Sequence, residues 1–170
     1  MGVRWSRLLQ CRGWRKVKDV SEYKITEPMS ALEIIKERVI PLIQEDYRRM
    51  RMGCWLNSNN NFWPCGTVGC IAGWTTYVMG LVGHYSSDAI KLVPPTLRSE
   101  FQKSFLSELP HFHTPDGTKE QANAVIAYLK DFCERHEKAL RCWIIDPTSS
   151  GIGSDDIDPY TGKEVVRCED

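Results

Sequence analysis

SALEIIKERVIPLIQEDYRRM, Ser30 to Met50, decides the fold class. Ser30-Ala-Leu-Glu33 has the form of a capping box, in which hydroxyl and carboxylate satisfy orphan amides at a helix start. Leu32, Ile35, Val39, Leu42, Ile43, Tyr47 and Met50 then recur at helical spacing and predict one apolar face. Lys36, Glu37, Arg38, Glu45, Arg48 and Arg49 fall on the opposite, solvated face. Pro41 has no amide proton to donate and predicts a kink or a break.

Downstream, VGCIAGWTTYVMGLVG (Val68 to Gly83) is apolar nearly all round and predicts a buried central helix that starts at Gly66 or Thr67 and runs to about Gly80. A short turn over Ser87–Val93 leads to Pro94-Pro95. A further helix follows through Leu106, with Leu97, Phe101 and Phe105 or Leu106 facing inward. Leu109 to Gly117 reads as a turn-rich connector. Thr118 then caps a long helix whose inner face is Ala122, Val125, Leu129, Phe132 and His136. Cys142-Trp-Ile-Ile145 and Lys163-Glu-Val-Val-Arg167 have strand character and admit a short β-hairpin near the C-terminus. The expectation is a mainly α, single compact domain of four to five helices.

Composition and charge bound the rest. The 170 residues are 42% hydrophobic, enough for one buried core. Lysine plus arginine and aspartate plus glutamate both number 22. That balance argues against a general nucleic-acid binder and against an acidic DNA mimic. No apolar run is long enough to suggest a membrane span. Three regions are expected: a basic extension over 1–26, the helical domain over 27–145, and an acidic, partly flexible segment over 146–170. Six arginines and lysines and two tryptophans in the first 18 residues leave room only for weak nucleic-acid contact. The cysteines number seven, an odd count, and the N-terminus has no apolar signal region. Reduced thiols in a cytoplasm are the expectation.

The chemistry-bearing stretch is WPCGTVGCIAGW, Trp63 to Trp74. Here the chain resembles a group of small uncharacterised bacterial and bacteriophage proteins with the pattern C-G-T-x-x-C-x-A-G-W, carried by Cys65, Gly66, Thr67, Cys70, Ala72, Gly73 and Trp74. The resemblance covers roughly residues 30–83. It implies a bacterial or phage origin and a bacterial cytoplasmic location, but no activity.

Three readings of the stretch stay open. Cys65 or Cys70 at a helix N-terminus, with His111 or His113 as base, would make a cysteine-dependent hydrolase or transferase. Cys54, Cys65, Cys70, His111 and His113 would instead supply ligands for zinc. The third reading is structural: small buried cysteines, with Gly69 and Gly73 allowing close helix packing.

The leading expectation is a non-catalytic binding or interaction protein without a cofactor, and a homo-oligomer is compatible with it. Its partner would be a host protein, such as a host-defence factor, or a small-molecule ligand. The ligand-binding candidates are Trp55, Asn57, Asn59, Asn60, Trp63, Thr67 and Trp74. Amides and indoles together suit polar and stacking contacts.

Overall fold

The computed structural model describes residues 18–53, 56–57, 68–81, 86–105 and 109–148. The fold is mainly helical, as the periodicity predicts. One helical run opens it, in three parts: α1 (Ala31–Glu33), a π-helical segment (Ile34–Val39) and α2 (Ile40–Glu45). The capping box at its start is present. Ser30 Oγ accepts from the Glu33 amide, and the Glu33 carboxylate accepts from the Ser30 amide. The Ser30 amide and hydroxyl both donate to the Glu33 carboxylate and hold it below its usual range.

Pro41 does not break this run. Val39 and Ile40 both keep helical backbone angles, and the Ile40 amide bonds back to the Ile35 carbonyl, five residues earlier. The wider π turns lie immediately upstream of the proline and let the chain pass a residue that lacks a donor. The helix stops at Asp46, which is extended (φ −145°, ψ 99°), and a 3₁₀ turn follows over Tyr47–Arg49.

This stop overturns two expectations. Tyr47, predicted on the inner face, is 42% exposed, whereas Arg49, predicted on the solvated face, is only 5% exposed. Beyond Asp46 the helical wheel no longer applies. The turn swings the tyrosine out and drives the arginine in.

The second helix also starts later than expected. Val68–Gly69 is a strand (β3), and α3 spans Ile71–Val78. Cys70 is its N-cap, with Sγ accepting from the Gly73 amide at 3.4 Å. Gly66 and Thr67, the expected starting residues, lie outside the described residues. The helix is buried as predicted: Ile71, Ala72, Trp74 and Val78 are all fully enclosed.

Shorter elements follow: α4 (Ser86–Ala89), a 3₁₀ turn (Ile90–Leu92), a second one (Pro95–Leu97) and α5 (Arg98–Lys103). Phe101 from α5 enters the core against Phe132. The long helix α6 (Lys119–Arg135) is capped by Thr118, whose hydroxyl accepts from the Gln121 amide. His136 ends it and α7 (Glu137–Cys142) follows.

Two small sheets tie distant parts together. β1 (Met29–Ser30) pairs antiparallel with β4 (Ile144–Ile145). β4 is the strand read at the C-terminal side, while Lys163–Arg167 lies outside the described residues. β2 (Leu56–Asn57) pairs antiparallel with β3. Tyr23 and Ile25, from the region read as an extension, join the same buried core as the helices. Cys142 is disulfide-bonded, whereas Cys70 and Cys133 carry free thiols.

Candidate functional site

Strand β3 and the turn at Met50–Gly53 build the base from which residues 54–67 depart and return. Met50 bridges Gly69 in parallel, and the Arg51 amide donates to the Gly69 carbonyl at 3.0 Å. On the other side of β3, Leu56 stands opposite Gly69 and Asn57 opposite Val68. The chain therefore leaves and re-enters through a fixed backbone ladder.

A second clamp comes from the connector before α6. The Gly117 amide donates to the Met50 carbonyl at 3.0 Å. The Asp116 carboxylate takes the Met52 amide on Oδ1 (2.9 Å) and the Gly53 amide on Oδ2 (3.3 Å). Gly117 adopts φ 73°, a left-handed conformation that glycine reaches without a Cβ penalty. That turn aims both its own amide and the preceding carboxylate at the 50–53 turn.

Gln121 organises the connector from below and is fully buried. Its Oε1 accepts from the Gly117 amide at 3.3 Å. Its Nε2 lies 2.9 Å from Asp116 Oδ1, 3.2 Å from the Thr114 carbonyl and 3.3 Å from the His111 carbonyl. Two amide protons serve these three acceptors, so they are shared. The opposite amide orientation would face donor to donor at Gly117 and acceptor to acceptor at the other three.

His111 belongs to this packing. It is 2% exposed, lies against the Phe112 and Tyr128 rings, and has Nε2 3.1 Å from the Ser104 carbonyl. A carbonyl only accepts, so Nε2 carries the proton. Burial lowers its pKa, which the Ser104 bond partly offsets, and holds the ring neutral. His113, two residues on in the same 3₁₀ turn (Pro110–His113), is exposed. The structure thus separates the two imidazoles, one inside and one outside.

The other predicted residues divide sharply. Trp74 is 0% exposed and donates from Nε1 to the Arg49 carbonyl at 2.9 Å. Its place is the core, where its large ring fills volume and its N–H has a partner. Cys70 is 6% exposed and serves as the α3 cap. Among the described residues, no three histidine, cysteine, aspartate or glutamate side chains gather as metal ligands. Cys54, Trp55, Asn59, Asn60, Trp63, Cys65 and Thr67 lie outside the described residues, and of Asn57 only the backbone pairing is described. No helix among the described residues is long and apolar enough to cross a membrane.

Sequence reasoning passed over Asp116 and Gln121 as anchors and Arg49 as a buried tie. The Arg49 guanidinium donates to the Leu42 carbonyl (3.3 Å) and the Lys18 carbonyl (2.7 Å), with Glu45 at 3.8 Å. Glu45 in turn accepts from the Lys18 amide and the Tyr23 hydroxyl. Burial alone would raise the Glu45 pKa, but these hydrogen bonds and the Arg49 charge outweigh it and lower it. Burial, then the Glu45 contact, pushes Tyr23 up to about 12. The chain matches no family profile, no curated protein and no solved structure.

Proposed function

We propose that this chain is a non-catalytic binding protein that presents residues 54–67 to its partner, with Trp55, Asn57, Asn59, Asn60 and Trp63 as contact residues. The partner is a host protein or a small ligand in a bacterial cytoplasm, as the resemblance around Trp63–Trp74 implies. One observation carries the reading. The base of this segment is fixed from two directions, by the β3 ladder and by the Asp116 carboxylate on the Met52 and Gly53 amides. Binding loops work best when a rigid scaffold holds their ends, because less ordering is left to occur on association.

The test uses the purified chain as bait in bacterial lysate, with native mass spectrometry for small ligands. Trp55→Ala and Trp63→Ala should each abolish capture of the wild-type partner or ligand while leaving helical circular dichroism intact. Normal capture by both variants would remove this segment as the site.

A further inference from the structure

A groove of about 510 Å³ runs between α2 and α6. On α6 it follows one face over three turns, from Lys119 through Ala122, Ile126 and Ala127 to Lys130. These positions repeat at the three- and four-residue spacing of a single helical stripe. Ala122 and Ile126 are buried and form the floor, with Ile43 of α2 beside them. Ala127 and Tyr47 are exposed at its edges, and Tyr47 is one of the two large apolar side chains standing out among the described residues.

Charge decides what fits. The two lysines stand at the ends of the stripe, about 16 Å apart along the helix axis at 1.5 Å per residue. Both are exposed. Among the described residues, no carboxylate lines the groove. Lys119 and Lys130 are the charged side chains among the described lining residues, and Asp131, next to Lys130 in sequence, is paired with Arg135. Two alanines leave room for a backbone to come close, as ridges of one helix enter the groove between two others.

We propose that the α2–α6 groove docks an acidic amphipathic helix of a partner protein. Its apolar stripe would lie over Ala122, Ile126 and Ala127. Carboxylates at its two ends would meet Lys119 and Lys130. This is the helix-in-groove mode of recognition, with the charges setting register and partner choice. It is independent of the reading of residues 54–67.

The probe is a fluorescein-labelled 15-residue helical peptide with a leucine stripe and glutamates at both ends. A twin carries lysines in place of the glutamates. Fluorescence anisotropy on the full chain at low salt should show the acidic peptide binding about tenfold more tightly than its twin, with the gap closing in high salt. K119E/K130E should reverse the preference. Ala127→Trp should weaken binding about tenfold by filling the exposed edge, with circular dichroism unchanged. Trp55→Ala and Trp63→Ala should leave peptide binding unaltered, which separates this groove from the proposed loop site.

Equal binding of the two peptides, an unchanged preference in K119E/K130E, or no binding of either would overturn the proposal. So would acidic-peptide binding that strengthens tenfold in the full chain carrying D155N, D156N and D158N. That result would assign the groove to the chain's own acidic C-terminal residues.

Discussion

The Asp116 carboxylate occupies the space that a side chain at Gly53 would need. Its Oδ2 lies 2.8 Å from the point where a Cβ at position 53 would sit, and 3.3 Å from the Gly53 amide. The same carboxylate is tied to the Met52 amide and Gln121, so it has little freedom to retreat. Gly53→Ala should therefore loosen the clamp and destabilise the fold by about 1 kcal/mol. Asp116→Ala should cost about 1–2 kcal/mol by leaving two amides and the Gln121 side chain short of an acceptor. Urea unfolding checks both values. Asp116→Asn should fall between wild type and alanine, because its one oxygen still accepts. An alanine at position 53 with wild-type stability would mean that the carboxylate does not constrain this turn.

Trp74 and Arg49 form a second pair whose loss should read as a folding defect. Trp74→Ala empties a fully buried site and should cost about 3–5 kcal/mol. Trp74→Phe keeps most of the volume but leaves the Arg49 carbonyl without its donor. Its cost should be near 1–3 kcal/mol. Arg49→Lys should not restore stability lost in Arg49→Ala. One ammonium cannot span the Leu42 and Lys18 carbonyls as the forked guanidinium does. Thermal and urea melts of the four variants provide the measurement. Full rescue by lysine would show that charge alone matters at this position.

His111 predicts the direction of pH dependence just below neutrality. Its folded pKa is depressed by burial, so the unfolded chain takes up a proton near the ordinary value of 6.5 while the folded chain resists it. The residue's contribution is complete above pH 6.5 and is lost as pH falls toward the folded value. The slope is at most about 1.4 kcal/mol per pH unit. His111→Gln, which keeps a donor for the Ser104 carbonyl without titrating, should flatten the stability curve in this window. Glu33, Glu45 and Glu100, whose pKa values are lowered, contribute stability that is lost only below the ordinary glutamate value of 4.5. Parallel wild-type and His111→Gln curves from pH 7 to 5 would contradict the assignment of a neutral buried ring.

Cys133 should be inert in the native chain. It is fully enclosed by the core, and burial pushes its thiol up to about 11. Iodoacetamide at pH 8, followed by peptide mass spectrometry, should modify it only after unfolding. The same experiment at pH 6 addresses the enzymatic alternative. Rapid modification of Cys65 or Cys70 there would favour a thiolate nucleophile over the binding reading.

Local signals in this sequence translate well into structure, and non-local ones do not. The Ser30–Glu33 box and the Thr118 cap are both readable because donor and acceptor lie three residues apart. The apolar surroundings of Trp74 likewise announce a buried helix. Arg49 is misread because periodicity assumes that a helix continues, whereas Asp46 leaves helical geometry three residues earlier. Cys70 takes the capping role that a threonine three residues upstream advertises more loudly. The pairing of Met29–Ser30 with Ile144–Ile145 joins two-residue strands from opposite ends of the described chain, too short for any alternation to show. The Asp116–Gly53 clamp is hidden for a related reason. An aspartate-glycine pair signals only its own turn, and which strand it grips is settled by the packing of α6 beneath it.

The π-helical turns before Pro41 make residues 31–45 two helical wheels joined out of phase. The wider turns rotate everything beyond Val39 relative to everything before Ile34, and Ile34 and Ile40 are buried beside the stripe of Leu32, Ile35, Val39, Leu42 and Ile43, so the apolar face is broader than one α-helical stripe. The run is therefore asymmetric toward changes in length. Removing one residue between Ile34 and Val39 returns the upstream turn to ordinary α geometry. α2 then turns by about 100° relative to α1, at the expense of the register that now carries Ile43 to the α6 groove and Leu42 to the Arg49 guanidinium. Adding a residue rotates the two halves still further apart. The proline and the wide turns ahead of it act as a phase adapter, setting which side of one helix faces each of its neighbours.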